Sequence, residues 1–249
     1  MIIIAGSEIK PDSFASRYEL TAAQRKILDA ISTAASPSRY SDEGELRFEL
    51  EMRENIVGAA RSLYRSMMSF EIFRESICNT EFWTRTQEGG FMLKPGASPS
   101  DAILDIFIRG RKYGTECATA MVIVFYKALL DSYGPELFDR TCRSIYLMNW
   151  QNAEHLGVTT DRDPGGYYAG DCRYFANPDV DPVTPEWQGE NTIDLGNGQY
   201  YGHGIGIAAQ NVIIEVLNEN RISGSRVPAH LLDMATRPDF SNLYARTLR

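Results

Sequence analysis

Apolar residues recur mostly at helical spacing in the first half of the chain and fall into short, turn-bounded runs in the second. Ile2–Ile4 reads as a short strand, and Thr21 ahead of AAQRKILDAI reads as a capped helix. From Ser41 to about Met68 the stripe Leu46, Leu50, Val57, Ala60, Leu63, Tyr64 and Met67 has helical spacing, with charges on the opposite face. Glu81–Thr86 and Phe91–Lys94, separated by Gly89-Gly90, read as a small hairpin. Ser98-Pro99-Ser100-Asp101 is a helix start ahead of AILDIFI. From Thr115 or Glu116 to about Leu130 the pattern is helical in length but apolar nearly all round, which predicts a helix covered on every side. Gly134-Pro135 breaks it, and a short helix then leads to an expected strand at Ser144–Trp150.

Beyond that point Tyr167-Tyr168, Tyr174-Phe175, Asn191–Leu195 and Gln199–Tyr201 read as short strands between Asp-, Asn-, Gly- and Pro-rich turns. Ala208–Asn220 returns to helix. Helices first and a mostly antiparallel sheet second predict an α+β fold. No repeat, low-complexity stretch or Gly/Ser linker divides residues 1–249, which predicts a single domain. Asn197-Gly198 is the preferred two-residue hairpin turn. With that turn Gly196 pairs with Gln199 and Thr192 falls opposite His203, so Glu190 projects from the same face as His203. Diagonal neighbours of this kind lie roughly 7–8 Å apart at the backbone.

Composition is ordinary for a globular chain, with 43% hydrophobic and 23% charged residues. The formal net charge of −8 argues against nucleic acid or an anionic membrane as partner. The longest apolar run, Ala118–Tyr126, is far short of a bilayer span, and MIIIAGSEIK lacks the basic leader of a signal peptide. The expectation is a soluble protein made in the cytoplasm without export. Cys78, Cys117, Cys142 and Cys172 form no CxxC pair, so four reduced thiols are expected. Glu154, His155 and His230 lack an i,i+4 ligand partner, and Gly202, Gly204 and Gly206 do not form GxGxxG, so neither a metal nor a phosphate site is expected.

Cys117 stands apart by its position. A cysteine in an apolar segment is ordinarily a core residue, and His203 or Glu190 taken singly is ordinarily structural or solvated. A thiol in the first turn of a buried helix, however, meets unpaired backbone N–H groups and the positive dipole end, which lower its pKa and can receive an oxyanion. A helix-borne cysteine facing a sheet that carries its base is the papain-like arrangement. Residues i and i+1 on a helix do not face one another, so Glu116 takes the proton of Cys117 only if the helix starts after it. On these residues alone the base stays open between Glu190 and His203, with Glu116 a site-edge acid.

The segments YGTECATAMVIVFYKAL, GDCRYFANPDVDP, WQGEN and YGHGIGI, in this order, resemble the spore-coat transglutaminases of bacilli, the protein-glutamine γ-glutamyltransferases. The resemblance runs from MII through FELEMRENIVGAA to LLDMATRPDFSNLY, essentially the whole chain. It implies a papain-like core, with the cysteine-bearing helix packed on the sheet, and a calcium-independent activity without cofactor or metal. The enzyme would join protein glutamines to lysine amines with release of ammonia. By motif, Cys117 is implied as nucleophile, Glu190 as acid/base partner, Glu116 and His203 as secondary site residues, and Phe70, Trp150 and Trp187 as aromatic walls. It implies a monomer acting on Gln- and Lys-bearing proteins, those of the spore coat if the host forms spores. A papain-like amidase or peptidase, or a catalytically silent coat protein, would share most of these features.

Overall fold

The computed structural model describes residues 1–249 as seven helices and several small sheets. Thr21 does cap the helix that follows: its hydroxyl accepts from the Gln24 N–H while Gln24 reaches back to the Thr21 N–H, a capping box. In chain order the helices are α1 (Pro11–Ala15), α2 (Ala22–Ser32), α3 (Glu43–Ser66), α4 (Pro99–Ile108), α5 (Cys117–Thr141), α6 (Gln210–Glu219) and α7 (Phe240–Thr247). Ser98 caps α4 ahead of Pro99, as its sequence predicts. No helix is long and apolar enough to cross a membrane.

α5 forms the middle of the molecule. Ala120, Met121, Val122, Ile123, Val124 and Phe125 are fully buried, which accounts for a helix apolar all round. It packs against α3, α4 and the main sheet, and burying each large side chain contributes about 1.5–3 kcal/mol. Gly134, with φ 72°, kinks α5 beside Pro135, where the sequence calls for a break. Along α3 the stripe is buried through Leu46, Leu50, Ala60 and Leu63, but Tyr64 and Met67 are exposed. The helix ends at Ser66 with Met67 left-handed (φ 62°), so the apolar period outruns the element.

The main sheet has seven strands: β1 (Thr159–Asp161), β2 (Cys172–Ala176), β3 (Gly189–Asp194), β4 (Gln199–Gly202), β5 (Gly206–Ala209), β6 (His230–Leu231) and β7 (Ala235–Arg237). Their order is β5-β4-β3-β2-β7-β1, with β6 also on β2, and every pairing is antiparallel. The α+β expectation holds, with differences of detail. Tyr167-Tyr168 is not a strand, and Ser144–Trp150 keeps only a two-residue strand at Tyr146–Leu147 before a 3₁₀ turn at Trp150–Asn152. The small hairpin forms at Trp83–Arg85 and Phe91–Leu93.

Alternation along β3 sorts its side chains to two faces. Ile193, opposite Cys172, belongs to the α5 core. Phe175, opposite Glu190, belongs to a separate cluster with Ile213 and Leu217 of α6. A buried ionic clamp holds the sheet to the helices. Asp171, fully buried just before β2, accepts from Arg53 of α3 at 2.7 Å and from Arg237 of β7 at 2.6 and 2.7 Å. Burial alone would push the Asp171 carboxyl up, but the two guanidiniums outweigh it and hold it below its ordinary value.

Candidate active site

Gly114-Thr115 and Ser69-Phe70 pair in parallel, with Phe70 opposite Thr115, and this ladder brings Phe70 to the N-terminus of α5. α5 begins at Cys117, and Glu116 is its N-cap (φ −87°, ψ 173°). Because the cap is extended rather than helical, its side chain folds back over the first turn. The carboxylate accepts from the N–H groups of Ala118 at 3.1 Å and Thr119 at 3.0 Å, and the Cys117 thiol donates to the same carboxylate at 3.5 Å. Helix start and thiol partner are thus one residue.

That arrangement corrects one expectation. The N–H groups meant to stabilise a Cys117 thiolate are occupied by Glu116. The Cys117 thiol is pushed well above its ordinary value by burial first and then by the nearby Glu190 and Glu116 charges, while the N–H groups of Asn191 pull the other way. Cys117 rests as a neutral thiol. On its other side the Asn191 carboxamide donates to Sγ at 3.3 Å. Asn191 went unrecognised in the sequence, although it directly follows Glu190 in WQGEN.

The hairpin register is also corrected. Thr192 pairs with Gly202, not His203, and Ile193 with Tyr201. Gly196, Asn197 and Gly198 all have positive φ (76°, 55° and 73°), and Leu195 N–H bonds Gln199 O at 2.8 Å across a three-residue loop. Gly196 supplies the extra left-handed position, which was the available signal. A one-residue slip moves partners to the other face. Glu190 therefore lies over Gly202 and Gly204, not beside the imidazole: the Gly204 N–H donates to its carboxylate at 3.0 Å. Burial drives Glu190 up to about 8, opposed by the Gly204 N–H and assisted by the Glu116 charge.

His203 is fully engaged elsewhere. Its Nε2–H donates to Ser69 O at 2.9 Å, and Nδ1 accepts from the Tyr201 hydroxyl at 3.0 Å. Burial lowers it to about 4, so the ring is neutral. It pins the hairpin to the strand that carries Phe70.

A cleft of about 650 Å³ opens onto Cys117, lined by Phe70, Ile72, Phe73, Glu116, Tyr174 and Asn191 among others. Val183, 85% exposed, stands at its rim. Trp187 stacks on Phe70 with ring centroids 6.3 Å apart. Trp150 instead lines a smaller cavity of about 310 Å³ with Cys172 and Met234, which shares Tyr174 and Asn191 with the cleft. The structure thus gathers Cys117, Glu116, Glu190, Phe70 and Trp187 at one place, with Trp150 behind the Tyr174–Asn191 wall.

A family model described as protein-glutamine gamma-glutamyltransferase matches residues 1–247. The chain belongs to that family. It is 43% identical over 240 residues to protein-glutamine gamma-glutamyltransferases of Bacillus mycoides, Bacillus cereus and Bacillus anthracis, covering 96% of this chain and 86% of each relative. Its structure is similar to a transglutaminase from Geobacillus stearothermophilus solved without its C-terminal extension, with a TM-score of 0.79 and 46% identity over 82% of this chain and 97% of that one. The protein is an acyltransferase, one that moves the γ-glutamyl group of a protein glutamine to an amine. The chemistry needs a nucleophile, proton carriers for ammonia and amine, and a site that keeps water from the thioester.

Proposed function

We propose that Cys117 is the nucleophile of this transferase and that Glu116 and Glu190 handle its protons. The observation that carries this reading is the Cys117 thiol, buried at the head of α5 and donating to the Glu116 carboxylate at 3.5 Å, at the floor of the cleft. With the thiol neutral, attack and proton removal belong to one step. Sγ forms a bond to the glutamine carboxamide carbon while its proton passes to the carboxylate pair. The carboxylic acid then protonates the departing NH₂ group, the C–N bond breaks, and ammonia leaves a thioester. A neutral lysine amine attacks, its proton goes to the carboxylate, and the returning sulfur recovers it as the isopeptide is released. A solvated carboxylate is too weak a base for this work; Glu190 at about 8 is matched to it.

Phe70 and Trp187 would shield the thioester from water, and Trp150 would close the opposite wall. His203 acts as a structural pin, consistent with both ring nitrogens being engaged. The 249 residues would work as one domain and as a monomer, a reading supported by the match over residues 1–247. The finer substrate assignment is to spore-coat proteins, supported by the resemblance to coat enzymes and by the Bacillus relatives. A glutamine-donor peptide is mixed with a primary amine, and amine incorporation is compared with ammonia release. Incorporation that tracks ammonia and vanishes in Cys117→Ala is the expected result. Ammonia release with free acid as the main product would make the protein a hydrolase, and activity retained in Cys117→Ala would remove the nucleophile assignment.

A further inference from the structure

The geometry points to Asn191 as a catalytic residue of the same reaction, the donor that holds the Cys117 sulfur as it becomes negative and then polarises the substrate carbonyl attached to it. The inference rests on the reading of Cys117 as nucleophile. Successive residues of β3 project to opposite faces. Asn191, opposite Tyr174, shares the face of Ile193 and looks toward α5, whereas the Glu190 carboxylate lies over Gly202 and Gly204 and acts on the thiol through its charge. The strand residue that confronts the sulfur is therefore Asn191, and its Nδ2 lies 3.3 Å from Sγ with only 8% of the residue exposed.

The orientation of the carboxamide follows from its partners. The Cys117 S–H is already directed at Glu116 Oε2, so the sulfur presents only lone pairs to Asn191, and the facing group must be N–H rather than C=O. This donor adds to a depleted set, because the N–H groups of Ala118 and Thr119 are bound by Glu116. Two carboxylates near a buried sulfur oppose its ionisation, and a neutral, non-titrating N–H opposes them at every working pH. Asn191 also borders both the cleft and the cavity behind it, the place where a carbonyl bonded to Sγ has to sit. As the C–S bond forms and the carbonyl π pair moves to oxygen, the same N–H can follow the negative charge from sulfur to that oxygen.

Asn191→Asp is isosteric and replaces the donor with an acceptor; Asn191→Ala removes it. Two readouts are taken on each: the pH dependence of Cys117 carboxamidomethylation by iodoacetamide, located by peptide mass, and kcat and KM for amine incorporation. In Asn191→Ala the alkylation midpoint should rise by about one pH unit, and in Asn191→Asp by more. The kcat should fall about 100-fold in each, the usual cost of a lost oxyanion donor, with KM within about threefold. An unmoved alkylation midpoint, whether or not kcat falls, reduces Asn191 to a packing residue and overturns the proposal. If iodoacetamide inactivates without modifying Cys117, the nucleophile reading itself fails and the Asn191 role goes with it.

Discussion

Replacing Glu190 by glutamine should make the protein less active and more stable, and the structure sets the scale of both. Glu190 is 2% exposed and held near 8, against an ordinary value of 4.5. The unfolded chain releases this proton as pH rises through 4.5, while the native protein keeps it until about 8. Native stability is therefore progressively lost between those values in the wild type, with the full cost present above about 8. Glutamine does not ionise, and its Oε1 can still accept from the Gly204 N–H. Proton linkage over this shift widens the stability gap between Glu190→Gln and wild type by about 4 kcal/mol from about pH 5 to about pH 9. Urea unfolding under reducing conditions at the two pH values measures it. The variant should gain on the wild type as pH rises while kcat/KM falls by roughly 10²–10⁴-fold, the usual contribution of a general acid–base. A gap that is equal at both pH values, or that narrows, would refute the idea of a buried carboxylate held protonated near neutrality.

Glu116→Gln removes a charge that helps raise Glu190, so the acid limb of kcat/KM should move below the wild-type position near 8; a pH–rate profile checks this. An alanine Cβ at Gly202 would lie 2.7 Å from Glu190 Oε1 and 2.8 Å from its Cγ, so Gly202→Ala should displace the carboxylate and lower kcat at least about tenfold, read from initial rates beside a thermal melt. His203 is depressed to about 4, so wild-type stability should fall by about 3 kcal/mol as pH drops from about 6.5 through 4. His203→Asn should lose that acid sensitivity, and its turnover should fall far less than that of Glu190→Gln; the reverse ranking would return the site to a Cys–His mechanism.

Capping and hydrophobic period are local, and the elements they govern were legible without coordinates. The Thr21 cap, the Ser98-Pro99 helix start, the Gly134-Pro135 break and the wholly apolar face pattern of α5 all match the structure. The motif YGTEC likewise located the head of the central helix, because a helix apolar on every side has no place but the core. Where an element ended was less legible: Tyr64 and Met67 keep the helical period but lie beyond what the core covers.

The chemistry around the thiol depended on tertiary structure. Gly196 accepts a positive φ and lengthens the hairpin loop by one residue, and that slip parts Glu190 from His203 and seats it over Gly202. The cap conformation of Glu116 turns an unfavourable i,i+1 neighbour into the partner of the thiol and takes the N–H groups that would have lowered its pKa. Asn191 meets Cys117 only because β3 docks on α5 across 74 residues of chain. Sequence alone determined the elements and the residue types that could react, since period and capping act over a few residues. Which group touches the sulfur, and how strongly each holds its proton, was decided by packing, because contact and desolvation exist only once distant segments are brought together.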